Sequence, residues 1–204
     1  METLANIDIK NAFESGYSYQ EFKDLTDQLL AENRTTGPNQ SETYIEYTRL
    51  NQRRMKRWDK TGKLSEAVQK AVSEIKVPQN WLVITEAWCG DGAQNIPFIQ
   101  KLADLNPLIK TSYIMRDENP EIMDQYLTNG ARSIPILVAF DESFEKEFFV
   151  WGPRPEFLQN RLREYKIDPK GVSSKEFSEG THLWYARDKN QAIDAELLEL
   201  ISNL

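Results

Sequence analysis

A continuous apolar run, Trp81-Leu82-Val83-Ile84-Thr85, constrains the fold of this chain more than any other feature of its sequence. A strand with one face in water alternates apolar and polar residues, whereas an unbroken run is typical of a strand buried on both faces. Such strands belong to sheets with helices packed on each side. The run therefore predicts an α/β domain built around this strand.

The residues after this run alternate between helical and extended patterns. The predicted elements, in order, are a helix over 90–105, a strand over 109–115, a helix over 120–129, strands over 136–140 and 144–151, and a helix over 155–166. Pro120 and Pro155 lie where the first turn of a helix tolerates proline. The order indicates a central sheet flanked by helices.

The first 78 residues carry helical patterns only. In the helix predicted over 17–33, Ser18 and Glu21 have the Ser-x-x-Glu spacing in which two side chains cap the first backbone amides. A second helix is predicted to begin at Ser41 and a third at Ser65. We therefore divide the chain into an all-helical N-terminal extension (1–78), an α/β core (79–166) and a C-terminal part (167–204).

The C-terminal part combines a loop around Gly171 with an amphipathic helix predicted from Asp188 to the end of the chain. Ile193, Leu197 and Ile201 lie on one face of that helix. We expect this face to pack back on the core. Contact with a second subunit, and so a homodimer, is the alternative.

The residue counts argue against several classes of function. With 25 basic and 32 acidic side chains, the formal net charge is −7, which disfavours nucleic acid and anionic membrane surfaces as partners. Cys89 is the only cysteine and His182 the only histidine, so no intramolecular disulfide and no Cys/His metal site can form. No Gly-x-Ser-x-Gly turn accompanies His182 to make a hydrolase triad. We expect no metal and no cofactor.

The sequence also bears on location. The N-terminus carries neither a basic leader nor an apolar run, and no segment approaches the roughly 20 apolar residues of a membrane span. A reducing compartment suits a chain with a single unpaired thiol. We expect a cytoplasmic protein.

Cys89 is the candidate reactive residue, because it lies where the buried strand ends and a helix begins. Unpaired amides and the helix dipole at such a position favour the thiolate, which is the nucleophilic form. The alternative is that Cys89 is a small buried side chain of the core.

The segment around Cys89 resembles the thioredoxin family, whose signature is Trp-Cys-Gly-Pro-Cys at the end of a central strand; Trp88, Cys89 and Gly90 match it. Other positions that agree with the family are Pro97, Asp117-Glu118-Asn119-Pro120, Ser133-Ile134-Pro135, whose proline is cis in the family, and Gly152. The resemblance covers about residues 80–166. It implies a thioredoxin-like fold with helical additions at both ends.

Two departures limit what the resemblance implies about activity. Gly92 occupies the place of the second, resolving cysteine, and Val83 occupies the place of a buried aspartate found in many thioredoxins. A dithiol cycle cannot run here, so an external thiol would have to resolve any mixed disulfide on Cys89.

The charge next to the cysteine is a further difference. Asp91 replaces the family's proline and should raise the pKa of the thiol. Positive charge could be restored by Arg132 or by the cluster of Arg53, Arg54 and Arg57, although each of these also suits an exposed, solvated surface.

The resemblance implies that Trp88 and the Ile134-Pro135 turn flank Cys89 in a groove for extended peptide. The predicted substrate contacts are therefore Trp88, Gly90, Asp91, Gly92, Ile134 and Pro135. The alternative is that the proline only shapes its loop and Trp88 packs in the core.

The first functional hypothesis is an oxidoreductase in which Cys89, as a single nucleophilic thiol, forms mixed disulfides with a protein or a low-molecular-weight thiol. The rival is a non-catalytic binding or scaffold protein with a thioredoxin fold. A third hypothesis, a peroxide sensor that forms sulfenic acid, lacks a resolving residue in the same chain.

Overall fold

The computed structural model describes the backbone of residues 4–204 and the side chains from residue 9 onward. Its helices are α1 (Leu4–Ser15), α2 (Tyr19–Ala31), α3 (Glu42–Thr61), α4 (Glu66–Ser73), α5 (Gly90–Ala103), α6 (Pro120–Met123), α7 (Glu156–Ile167), α8 (Ser174–Asp188) and α9 (Gln191–Ser202). Its strands are β1 (Gln79–Thr85), β2 (Ile109–Met115), β3 (Ile136–Asp141) and β4 (Glu147–Trp151).

The strands form one mixed sheet in the order β2-β1-β3-β4. β1 pairs in parallel with β2 and antiparallel with β3, which pairs antiparallel with β4. Every residue of β1 is buried, as the apolar run predicts. The expected α/β thioredoxin-like architecture, a central mixed sheet flanked by helices, is confirmed.

Successive residues of β1 belong to two separate cores because side chains alternate across a strand. Trp81 and Val83 lie in the core that includes residues of α4, α5 and α9. Leu82 and Ile84 lie in a second core, on the opposite face, together with α1 and α6. Helices on both faces explain why β1 carries no polar alternation.

Helix α2 begins at the capping residues that the sequence predicts. Ser18 Oγ accepts a hydrogen bond from the backbone N–H of Glu21, and Glu21 Oε2 accepts one from the N–H of Ser18, which confirms the predicted capping box. α1 lies before the first helix that the sequence analysis marks, and its Ile9 and Ala12 cover one face of the sheet.

Two element boundaries in the core differ from the prediction. α6 ends at Met123 instead of near 129, and the chain reverses at Asn129, which has φ = 51°. β4 begins at Glu147 instead of 144, because Phe144 has φ = 61° in the turn after β3. Left-handed backbone is compatible with neither a helix nor a strand.

The C-terminal part differs most from its prediction. The predicted loop before Asp188 contains α8, whose first turn is closed by a capping box between Ser173 and Glu176. Lys189 and Asn190 have φ values of 56° and 67° and turn the chain into α9. α9 buries Ile193, Leu197 and Ile201 against the core, where the amphipathic pattern places them. Within residues 4–204, no helix combines the length and the apolarity that crossing a bilayer requires.

Candidate functional site

Cys89 lies between the end of β1 and the start of α5, as the sequence predicts. It is the N-cap residue of α5, and its Sγ accepts a hydrogen bond from the backbone N–H of Gly92 at 3.3 Å. The thiol donates to the carbonyl oxygen of Ile134 at 3.2 Å. Only 6% of the residue is exposed. The thiol is thus enclosed and hydrogen-bonded on two sides.

The protonation state of Cys89 follows from this environment. Burial and, as the smaller cause, the negative charge of Asp91 raise the pKa of the thiol to about 12. The N–H of Gly92 and the charge of Arg154 act in the opposite direction and are outweighed. The expected influence of Asp91 therefore has the right sign, but burial is the larger cause. The thiol is protonated at neutral pH.

The turn whose carbonyl oxygen accepts the hydrogen bond from the thiol contains a cis peptide bond between Ile134 and Pro135. Both residues are buried. Because the turn directs the carbonyl of Ile134 at the sulfur, the Ser133-Ile134-Pro135 segment and Cys89 come together as the sequence resemblance implies.

Trp88 lies on the other side of the site and is half-buried. Its ring centre is 5.0 Å from that of Tyr44 on α3 and 4.7 Å from the guanidinium carbon of Arg116. An aromatic ring is stabilised both by contact with another ring and by a cation near its face. Trp88 therefore packs against the N-terminal extension.

The two glycines that follow Cys89 are closely surrounded. A Cβ at residue 92 would lie 2.8 Å from Thr85 Oγ1 and 3.4 Å from the Cβ of Cys89. A Cβ at residue 90 would lie 2.8 Å from Cε1 of His182. Neither position has room for a side chain in this structure.

Asp91 forms the centre of a largely buried polar network. Nε and Nη2 of Arg154 donate to its Oδ2 at 3.0 and 2.7 Å, and the hydroxyl of Tyr185 donates to its Oδ1 at 2.7 Å. Asn95 Nδ2 donates to the hydroxyl of Tyr185 at 3.0 Å. The network thereby joins the first turn of α5 to the segment after β4 and to α8.

The cation that forms the ion pair with Asp91 is therefore Arg154 and not one of those suggested by the sequence. Of the suggested arginines, Arg54 is close enough for the charge of Asp91 to act on its pKa. Arg132 makes a two-point ion pair with Asp124, at 2.6 and 2.7 Å, on the exposed surface. Arg53 and Arg57 are exposed. No local pattern marks Arg154, which follows the last strand and is brought to Asp91 by the fold alone.

The N-terminal extension contacts the loop before the cysteine directly. The side chain of Thr36 accepts a hydrogen bond from the N–H of Ala87, and Asn51 Nδ2 donates to the carbonyl of Ala87 at 3.0 Å. Arg54 Nη1 donates to Asn51 Oδ1 at 2.8 Å. α3 therefore helps to hold the segment that presents Cys89.

His182 on α8 covers the start of α5, and its protonation is determined by its neighbours. Nε1–H of Trp58 donates to Gln94 Oε1 at 2.6 Å, which leaves the amide nitrogen of Gln94 to donate to Nδ1 of His182 at 3.1 Å. Burial, followed by the charge of Arg54, lowers the pKa of His182 to about 4. The ring is neutral at pH 7 with its proton on Nε2.

These elements enclose a cavity of about 470 Å³. Of the predicted site residues, Trp88, Cys89, Gly90, Asp91 and Ile134 line it, whereas Gly92 and Pro135 do not. Some residues that the sequence analysis missed come from outside the α/β core: Tyr44 and Asn51 of α3, and Phe177 and Thr181 of α8. Others lie within it: Arg116, Arg154, Leu158 and Leu162. The described residues contain no cluster of His, Cys, Asp and Glu that could hold a metal ion.

Comparison with known proteins agrees with this architecture. A family model described as thioredoxin matches residues 37–166. A search of curated proteins gave no significant match.

Two solved structures are similar over nearly the whole chain. One is an HIV epitope scaffold, with 18% identity, a TM-score of 0.60, and coverage of 96% of this chain and 98% of that one. The other is a protein of unknown function from Pseudomonas aeruginosa, with 18% identity, a TM-score of 0.56, and coverage of 92% and 98%. At this identity the likeness supports the fold, including the added helices, and says nothing about activity.

Proposed function

The chain belongs to the thioredoxin family, and on this premise we propose that it is a non-catalytic binding protein whose ligand occupies the cavity over Cys89. The observation that carries the proposal is the state of Cys89: a buried, protonated thiol that donates its hydrogen to the carbonyl of Ile134.

Thiol–disulfide exchange requires a thiolate that can reach a disulfide. To react, Cys89 would have to lose its proton, give up the hydrogen bond to Ile134 and become exposed. Gly92 supplies no second thiol, and Thr85 fills the space beside it. These features remove both halves of the family's dithiol cycle.

The cavity itself has the character of a ligand site. Ligand pockets are concave, walled by apolar and aromatic side chains, and contain a few convergent polar groups. Here Tyr44, Trp88 and Phe177 supply aromatic side chains, and Ser133 and Ile134 of the cis-proline turn line the cavity together with Cys89. The walls contributed by α3 and α8 narrow the open groove that extended peptide would use.

The test is the alkylation of Cys89 by iodoacetamide as a function of pH, in the folded protein and in guanidinium chloride. We expect the unfolded chain to react with a midpoint near the free-cysteine value of about 8.5, and the folded protein to stay unreactive below pH 10. Fast alkylation of the folded protein at neutral pH would contradict the proposal. Turnover of a disulfide substrate with added small thiol should be equal for wild type and Cys89→Ser.

One observation favours monothiol exchange as a second candidate function. The N–H of Gly92 and the charge of Arg154 both stabilise the thiolate of Cys89, against the effect of burial. In such a cycle the thiolate attacks one sulfur of a substrate disulfide, that disulfide bond breaks, and the released thiolate takes a proton from water. A low-molecular-weight thiolate then attacks the mixed disulfide and regenerates Cys89.

This second function is tested by incubating the folded protein with oxidised glutathione and measuring its mass. A mass increase of one glutathione, absent in Cys89→Ser and reversed by reduced glutathione, would support exchange chemistry. An unmodified protein would support the binding function.

A further inference from the structure

The cavity is lined by more basic than acidic side chains, although the protein as a whole is acidic. Four arginines line it, and Asp91 is its one acidic lining residue among the described residues, although acidic side chains outnumber basic ones in the chain. Three of the arginines have a carboxylate partner: Arg116 with Asp117 at 2.8 Å, Arg132 with Asp124 at 2.6 Å, and Arg154 with Asp91 at 2.7 Å.

Arg54 is the exception. Within residues 9–204 it makes no ion pair, and its one side-chain hydrogen bond is the donation to Asn51. A guanidinium carries five N–H donors, so most of those of Arg54 are unused. The side chain is half-buried, and burial followed by the charge of Arg57 lowers the pKa of the group, against a smaller opposite effect of Asp91. A partly desolvated cation of this kind is stabilised by an anion.

His182 adds a second donor at the same place. Because Gln94 donates to its Nδ1, the imidazole proton is on Nε2. That nitrogen has no hydrogen-bond partner within the described part of the chain. Since His182 lines the cavity, its Nε2–H is available to a ligand there.

Both donors lie close to Gly90. The point where a Cβ would lie at residue 90 is 3.1 Å from His182 Nε2 and 3.9 Å from Arg54 Nη1. Gly90 is also the first residue of α5, a helix of 14 residues, whose N-terminal end is partially positive. We refer to the part of the cavity that Arg54, His182 and the start of α5 line together as the cradle.

We infer that this cradle binds the carboxylate group of a small acidic ligand, with Arg54 and His182 Nε2–H as its donors. The inference rests on the proposed function and names the chemistry of the ligand. One full positive charge and one neutral donor match a monovalent, planar carboxylate, which a guanidinium can bind in a two-point manner. A phosphate dianion would call for more cationic charge than Arg54 alone supplies. The rest of the ligand would extend toward Trp88 and Phe177.

The inference is tested by NMR titration of the full-length protein at pH 7 and constant ionic strength. The probes are butyrate, N-acetyl-diglycine and the neutral amide of that dipeptide, so that two monovalent carboxylates are compared with an uncharged match. We expect saturable shifts of the Gly90 amide and of the His182 ring with one or both acids, and none with the amide. Equal shifts with the amide, or no saturation with either acid, would overturn the inference.

Variants locate the site. Arg54→Gln should weaken the binding of the acid at least tenfold, the loss expected for a hydrogen bond to a charged group. Arg132→Gln is the matched control, since Arg132 lies on the cavity rim with Asp124 as its partner, and it should change affinity less than twofold. In Gly90→Ala the new Cβ would lie 2.8 Å from Cε1 of His182, so the ring has to shift and binding should weaken, while the NMR spectrum away from α5 and α8 stays unchanged. Equal losses in Arg54→Gln and Arg132→Gln, or tighter binding of inorganic phosphate than of butyrate, would contradict the assignment.

These outcomes are separable from those for the proposed function. A reactive Cys89 with saturable butyrate binding would overturn the non-catalytic function and leave the carboxylate site standing. An unreactive Cys89 without saturable shifts would do the reverse.

Discussion

Nε and Nη2 of Arg154 both donate to Oδ2 of Asp91, two residues after the only cysteine, and the two side chains are 14% and 15% exposed. The pair neutralises a carboxylate that would otherwise raise the pKa of Cys89 further. It also ties the chain after β4 to the first turn of α5, so that one ion pair contributes both to the fold and to the electrostatics of the site.

Arg154→Gln should therefore destabilise the protein by about 3 kcal/mol, because it leaves Asp91 buried without a cation. Chemical denaturation measures the free energy of unfolding. The control is Arg163→Gln, whose partner Glu156 is exposed and whose ion pair should contribute less than about 1 kcal/mol. Similar losses in the two variants would contradict the structural role of the Asp91–Arg154 pair.

The raised pKa of Cys89 predicts a loss of stability in alkali. Its pKa is about 12 in the folded protein against 9.0 when unperturbed. The unfolded state therefore releases the proton first, and the contribution of the thiol is complete below pH 9 and lost as the pH rises toward 12. Wild type should lose up to about 1.4 kcal/mol per pH unit above 9 relative to Cys89→Ala. A difference between the two proteins that stays constant from pH 7 to 10.5 would argue against a buried, protonated thiol.

The single histidine makes its own titration easy to follow. Its pKa is about 4 in the folded protein against 6.5 when unperturbed, so folding favours the neutral ring. Stability from His182 is present above pH 6.5 and is lost as the pH falls toward 4, by up to about 3 kcal/mol at pH 4. The imidazole proton resonances should shift with a midpoint near 4. Arg54→Gln should raise this midpoint, whereas Arg132→Gln should leave it unchanged.

Restoring the second cysteine should fail to restore a dithiol. In Gly92→Cys the new Cβ would lie 2.8 Å from Thr85 Oγ1, and overpacking of this kind costs about 1–3 kcal/mol. We expect lower stability and little disulfide formation with Cys89 under mild oxidation, measured by denaturation and by thiol counting. Adding Thr85→Ala should relieve the contact and recover stability relative to Gly92→Cys alone. Easy disulfide formation in the single variant would show that the space beside Gly92 is adaptable.

The parts of the fold that could be predicted are those with a local cause. β1 is buried on both faces, so its apolar run is a direct record of its environment. The capping box of α2 consists of Ser18 and Glu21, three residues apart. The helical face of α9 repeats at the helical period. The motif resemblance also located Cys89 beside the Ile134-Pro135 turn, 45 residues away.

α8 could not be predicted in the same way, although it provides much of the site. It carries a glycine in its middle, Gly180, and a single buried residue, Tyr185, so the apolar stripe that marks a packed helix is weak. Its position depends on polar contacts instead: Tyr185 with Asp91 and His182 with Gln94. The two residues of the first contact are 94 positions apart in the sequence, and those of the second are 88 apart. Contacts over such separations leave no periodic signal in the sequence.

The sequence by itself determined that the chain has one thiol, that it sits between a buried strand and a helix, and that no second cysteine can resolve a disulfide. Only the tertiary structure decided the burial, the pKa and therefore the reactivity of that thiol. Its pKa depends on how completely α3, α8 and the cis-proline turn exclude water, and on a charge balance between Asp91 and Arg154. Burial and charge are properties of the space around an atom, and that space is filled here by residues from distant parts of the chain.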